Sequence, residues 1–208
     1  MPDAARLRDA LVRPAGASSD FDLNPAIQLP PGRVLRPAAV LVAVWGDRLL
    51  LTKRSSRLKH HPGQIAFPGG KVDPEDATVE QAALREAQEE VGLESEFVEI
   101  LGQLPSYVTG TSFHITPVVA LVSPHHTITT NVNEVEFAFE VPLSFLMNPQ
   151  NHRLHEWDRD GIVRRWYSMP YPASSPNKDP AHADYFIWGA TAGMIRNFYR
   201  FLLAANSL

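Results

Sequence analysis

Apolar positions in this chain follow two periods, and the switches between them outline its elements. Ala38 to Trp45 is almost continuously apolar, as suits a strand buried on both faces. Gly46-Asp47 then turns the chain, and Arg48 to Lys53 returns as the second strand of a hairpin. Gln64 to Phe67 reads as a short strand running into Pro68-Gly69-Gly70. Thr78 and Gln81 match a capping box at the start of a helix over Val79 to Val91, which stops at Gly92. Leu84, Ala87 and Val91 share one face of it, the core side. Phe97 to Leu104, His114 to Val122 and Glu136 to Val141 predict strands, and Pro142 to Met147 a short helix beginning at proline. Late strands follow over Ile162 to Tyr167 and Tyr185 to Trp188, then an amphipathic helix from Thr191 to Leu203. Leu7 and Leu11, four apart, predict a helix over Asp3 to Val12, whereas Pro, Gly, Ser and Asp make Arg13 to Arg36 an extended connection. Strands before, between and after two main helices, with no internal repeat, argue a mixed α/β or α+β sandwich in one unit.

Composition narrows the function classes. The 208 residues are 44% hydrophobic, enough for a substantial core, and the formal net charge of -4 offers no global field to nucleic acid. The absence of cysteine excludes disulfides, thiolate nucleophiles and zinc-thiolate sites, and fits a reducing compartment. Met1 to Leu7 has no apolar signal-peptide core, and no run approaches the roughly 20 apolar residues of a membrane span. Asn206-Ser207-Leu208 matches a peroxisomal address at one position only. The expected setting is the cytoplasm, with no membrane and no nucleic-acid partner.

Chemistry concentrates on the central helix. Glu86, Glu89 and Glu90 stand at i, i+3 and i+4, so three carboxylates share one helix face. Uncompensated, stacked like charges cost about 0.2–0.5 kcal/mol per pair, and a divalent cation reverses the sign. Oxygen donors without His or Cys suit Mg²⁺ or Mn²⁺, ions that neutralise phosphates and lower the pKa of an attacking water. Gly69 and Gly70 have no Cβ and let a loop approach metal or phosphate closely. Taken alone, Glu-x-x-Glu-Glu is more often a solvated acidic face. The eight histidines, His125-His126 included, lack metal-ligand spacing.

The neighbouring residues change that weighing. Gly70 followed by Arg85-Glu86-Ala87-Gln88-Glu89-Glu90-Val91-Gly92-Leu93 resembles the box of the Nudix hydrolases, matching its helical part at every specified position. Two departures stand: the box's first acid is Asp76 instead of Glu, with Glu75 one residue early, and the spacer to Arg85, residues 77–84, is one residue too long. Asp73 and Asp76 read equally well as turn residues or helix caps. Upstream, Leu50-Leu51-Thr52-Lys53-Arg54-Ser55, Lys59, Gly63 and Phe67-Pro68-Gly69-Gly70 resemble the signature of the coenzyme A pyrophosphatase branch, with Lys59 where Arg is usual. Lys53, Arg54, Arg57, Lys59, His60 and His61 form a basic loop ahead of the acidic helix, suited to the phosphates of coenzyme A or equally to an ordinary surface. Asn133-Glu134-Val135 and Ile187 to Ala192 also look like that branch.

The resemblance implies a Nudix-type α/β/α sandwich, α/β in class, with a mixed sheet between the box helix and a C-terminal helix. It covers most of Arg36 to Leu203. Residues 1–35 would form an N-terminal helix and connection, and 36–208 the hydrolase domain. The implied reaction is water attack on the diphosphate of coenzyme A or its thioesters, with no partner beyond that small molecule; a homodimer is compatible with it. Glu86, Glu89 and Glu90 would hold Mg²⁺ or Mn²⁺, and Arg85 would orient the acidic face. Glu86 or Glu134 would be the base, Glu136 ranking behind Glu134. Arg54, Lys59, Gly69, Gly70 and Trp188 would meet the substrate, Trp188 by stacking on adenine or lining the pantetheine channel unless it is plain core. The rivals are another Nudix substrate, such as ADP-ribose or a dinucleotide, and a catalytically silent Nudix-fold module.

Overall fold

In the computed structural model, residues 4–12, 16, 18–27, 31–172 and 185–205 are described; Asp3 and the C-terminal tripeptide read above lie outside them. The largest unit is a mixed sheet built on strand β1 (Arg36–Trp45). One edge of β1 runs parallel to β7 (Phe113–Val122), and β5 (Val98–Gln103) and the short β6 (Tyr107–Val108) flank β7 antiparallel. The other edge is shared. Its last residues make the hairpin with β2 (Arg48–Arg54), and Ala38 to Val40 pair with β4 (Gly69–Lys71). The segment joining β3 (Ile65–Ala66) to β4 thus bridges two strands, β3 on β2 and β4 on β1. On its far edge β2 also carries β8 (Val135–Pro142).

Strand alternation divides β1 between two cores. Ala39, Leu41 and Ala43 face the helix α3 (Val79–Val91), joined by Leu50 of β2 and Val118 and Ala120 of β7. Val40, Val42 and Val44 face the other way, with Leu49 and Leu51. There they meet helices α1 (Ala4–Val12) and α5 (Gly189–Ala204) and a second, antiparallel sheet of β9 (Arg153–Arg159), β10 (Ile162–Tyr171) and β11 (Tyr185–Trp188). The mixed sheet therefore lies between the acidic helix and the C-terminal helix. Alanines 82, 83 and 87 line the sheet side of α3 at full burial, so this helix sits close to the strands. Thr78 caps it by accepting from the Gln81 amide, and Gly92 ends it at φ 69.

Several local readings change. Gln81 returns its side-chain oxygen to the N–H of Ala77, not of Thr78, so the reciprocal half of the capping box closes one residue early. Pro142 is the cap before the short helix α4 (Leu143–Leu146) instead of its first residue. β4, β6 and β9 were not evident as strands: β4 is Gly-Gly-Lys, β6 has two residues, and β9 alternates polar residues on a mostly exposed strand. The supposed extended connection contains a helical turn, α2 (Asp20–Leu23), with a complete capping box from Ser19 and Asp22. That segment is tied down by buried polar groups. The Asn24 amide accepts from Arg165 N–H (2.6 Å) and donates to Arg165 C=O (3.0 Å), taking the place of a strand beside β10. Asp20 accepts from the Tyr107 hydroxyl (2.9 Å) and the Gly110 N–H (2.8 Å). Leu7 and Ala10 of α1 are fully buried in the second core.

His152 joins this half together. Its Nε2 donates to the Leu146 carbonyl at 2.6 Å, so Nδ1 carries the lone pair and accepts from Arg196 at 3.1 Å. Tyr199 packs against the ring edge-on at 5.1 Å. Burial, more than the Leu146 bond opposes it, holds the imidazole pKa below its ordinary 6.5, and the Arg196 charge adds to the depression. The unfolded chain therefore takes up a proton before the folded one. The stabilisation is complete above about 6.5 and is lost as pH falls through the lower folded-state value. Wild-type thermal stability should decline from pH 7.5 to 5.5 more steeply than that of His152→Gln. The variant should itself be weaker at pH 7.5, by about 1–3 kcal/mol for the unpaired buried groups. Parallel pH profiles would remove His152 as the cause.

Candidate active site

The acidic face of α3 is graded by its rotation toward the sheet. Glu90 falls between Glu86 and Ala83 at the edge of the buried face and is 2% exposed; Glu86 is mostly buried, and Glu89 is 51% exposed in its side chain. The two glycines make this burial feasible. Gly69 has φ 153, a Cβ there would strike the Ala39 carbonyl and Val40, and its N–H donates to Glu90 Oε2 at 3.2 Å. At Gly70 a Cβ would occupy the Glu86 carboxylate itself. β4 thus lies directly against two carboxylates because it has no side chains there.

A single arginine organises the outer side. Arg85 grips Asp76 with two bonds, Nε to Oδ1 at 3.0 Å and Nη2 to Oδ2 at 2.9 Å, and Nη2 also donates to the Lys71 carbonyl (3.0 Å). Its Nη1 reaches Glu86 and Glu89, both at 3.2 Å. Asp76, nearly buried, is thus a structural partner of the helix, and its bonds to Arg85 and to the Asp73 N–H hold its carboxyl below the usual range. The shorter acid and the longer spacer still deliver a carboxylate to Arg85.

The inner side is less well compensated. Arg54 follows Leu50 and Thr52 on the α3 side of β2 and brings Nη1 within 3.5 Å of Glu90 Oε1. Desolvation outweighs this pair and the Gly69 N–H, with Glu86 and Glu134 adding repulsion, so Glu90 is pushed up to about 8. Burial likewise raises Glu86, against the pull of Arg85 and with the charges of Glu89 and Glu134. Glu134 thus stands near enough to act on both. Glu136 does not join them: the β2–β8 ladder shifts register between Lys53 and Arg54, which pair with Phe137 and Val135, and Glu136 binds Lys53 at 2.9 Å.

Buried carboxylates with raised pKa values and too few cationic neighbours fit a hard divalent cation, which would supply the positive charge they lack. Among the described residues no three acidic or imidazole side chains yet converge tightly enough to enclose one, consistent with mutual repulsion and with Arg85 drawing Glu86 and Glu89 outward. The remaining residues singled out in the sequence lie apart. Lys59, His60 and His61 are exposed in the turn between β2 and β3. Trp188 caps α5 at 39% exposure, with Phe186 its ring neighbour at 6.5 Å, on the outer side of the second sheet. The α5 start is nevertheless joined to the segment leading to Gly69, through Thr191 Oγ1 donating to the Ile65 carbonyl at 3.0 Å.

Comparison with known proteins decides the family. The NUDIX domain family matches residues 35–188. The Nudix hydrolase NudL of Citrobacter koseri, named as uncharacterized, is 43% identical over 165 residues, 77% of this chain and 80% of that protein. Its counterpart in Enterobacter sp. is 42% identical over the same shares. The chain belongs to the Nudix hydrolase family. Among solved structures, the MutT protein of Methanosarcina mazei Go1 superposes with a TM-score of 0.46 at 20% identity, covering 57% of this chain and 84% of that one. In this Nudix hydrolase no helix among the described residues is long and apolar enough to cross a membrane.

The Gly70–Glu86 contact gives a direct test. Gly70→Ala should push the Glu86 carboxylate aside and lower kcat about 100-fold, the scale of loss for a displacement near 1 Å at a reacting group. Near wild-type turnover with Ala at this position would show that Glu86 needs no such approach.

Proposed function

We propose that this Nudix hydrolase cleaves the diphosphate bond of coenzyme A and its thioesters, giving 3′,5′-ADP and 4′-phosphopantetheine or its acyl derivative. The observation that carries the reading is the pairing of two features on one stretch of chain. Gly69 and Gly70 seat against the buried carboxylates of α3, and the exposed turn just ahead of them presents Arg57, Lys59, His60 and His61. A substrate with a diphosphate and a separate 3′-phosphate offers one anionic group to each feature. The resemblance of residues 50–70 to the coenzyme A pyrophosphatase signature supports the same choice, as does Arg54, placed between turn and helix.

In this reading Glu86, Glu89 and Glu90 hold Mg²⁺ or Mn²⁺. The cations, when bound, neutralise the diphosphate and make the attacking water more acidic. Water adds at one phosphorus, the bridging P–O bond breaks, and Glu134 or Glu86 takes the water's proton. Arg85 serves by fixing α3 against the 73–76 turn, since its guanidinium is already occupied by Asp76. Lys59 meets the 3′-phosphate, and Trp188 stacks on the adenine or walls the pantetheine. The setting in this reading is the cytoplasm.

A substrate panel decides between this and another Nudix substrate. With Mg²⁺ or Mn²⁺, coenzyme A should be turned over faster than ADP-ribose or dinucleotides, and excess chelator should abolish the activity. Lys59→Ala should raise KM for coenzyme A more than for its 3′-dephosphorylated form. Preference for ADP-ribose or a dinucleotide would reassign the substrate, and full turnover in chelator would end the metal reading. A panel without any turnover would favour the silent module.

A further inference from the structure

Glu134 lies in the turn just ahead of β8, and the segment before it sets its place. Residues 129–131 lie along the C-terminal end of α3, where the Thr129 N–H donates to the Val91 carbonyl and the Asn131 N–H to the Glu90 carbonyl, both at 2.9 Å. These bonds satisfy carbonyls that the helix leaves free in its last turn. Gly92 permits the approach, since a Cβ there would come within 3.1 Å of the Thr129 carbonyl. The chain then turns on Asn131, whose carbonyl accepts from the N–H groups of Glu134 (2.9 Å) and Val135 (2.8 Å), while the Glu134 carbonyl accepts from Ser55 N–H (2.8 Å). Glu134 is thereby registered against the helix that carries the cation carboxylates.

The Asn131 side chain completes the arrangement. Its Oδ1 accepts from the Asn133 N–H at 3.2 Å, which fixes the amide orientation, and Nδ2 donates to Glu134 Oε1 at 3.2 Å. We propose that Asn131 is a positioning residue for the reaction: it holds one oxygen of Glu134 and leaves the other turned to the attacking water. The proposal rests on Glu134 being the base. Through its main chain Asn131 reads the position of Glu90; through its amide it sets the angle of Glu134. One residue therefore fixes the distance between cation site and base. A carboxylate free to rotate about its terminal bonds would spend most of its time misaligned, and the reaction would slow without weaker substrate binding.

Two substitutions separate this role from plain turn-making. Asn131→Asp keeps the acceptor for the Asn133 N–H but removes the donor to Glu134; Asn131→Ala removes both. Assayed on the diphosphate of the panel that is turned over fastest, both should lose kcat by about 10- to 100-fold, within the range of a misplaced general base, while KM stays within about two-fold. Mn²⁺ affinity of Asn131→Ala, measured by titration without substrate, should match wild type. In a Glu134→Gln background the Asn131→Asp change should cost almost nothing more, because the group it serves is gone. Wild-type kcat in Asn131→Asp alongside a loss in Asn131→Ala would reduce Asn131 to a turn residue. So would equal losses with and without Glu134. If Glu134→Gln is defective but Asn131→Asp is not, this inference alone fails; if Glu134→Gln keeps wild-type kcat, or nothing in the panel is turned over, the assignment of the base fails and this inference goes with it.

Discussion

Glu90 sits almost without water between an N–H of β4 and, at 3.5 Å, an arginine of β2, too little to sustain a full negative charge. Much of the surrounding architecture keeps that carboxylate where it is. Alanines on α3 bring the helix down to the sheet, glycines on β4 leave room for Glu86 and Glu90, and the bridging segment from β3 to β4 carries those glycines beneath the helix. The charge of Glu90 is thus under-compensated by its own surroundings.

Arg85 is the counterweight. Four carboxylates lie within ion-pair range of it, Asp73, Asp76, Glu86 and Glu89, and its best bonds go to Asp76. Its Nε and Nη2 go to Asp76 and to the Lys71 carbonyl, leaving Nη1 to make one contact each with Glu86 and Glu89. Tight structural pairing on one side and loose pairing on the other let one arginine hold the helix without sealing the site.

How far the site could be read from sequence depends on the range of the forces. The three glutamates, their common face and the two glycines are consequences of helical spacing and of the missing Cβ, both local. So is the helix itself, from Thr78 to the left-handed Gly92. The choice of Glu134 over Glu136 was legible only through the family resemblance, because a bulge between β2 and β8 decides which acid meets Lys53, and a bulge has no reliable signature in Val-Glu-Phe. Asn131 carried no signal at all, since its partner on α3, Glu90, is far away in sequence and is found through a main-chain bond that any residue could make.

The same distinction runs through the fold. The strand pattern of β1 and β2 and the amphipathic C-terminal helix followed from hydrophobic period alone, since each buries enough apolar surface to announce itself. Arg13 to Arg36 read as a connection because few of its residues are apolar; within it Asn24, Asp20 and Ser18 are held by polar bonds to β10, Tyr107 and Asn197 that exist only once distant elements have packed. β9 stayed hidden for a like reason, as an exposed strand defined by its partner. By itself the sequence determined which residue types could carry the chemistry, through spacing and the absence of side chains. Tertiary structure alone decided how buried each carboxylate is, which arginine it meets and which loop acid joins it, because desolvation and charge coupling depend on neighbours that the linear chain does not place.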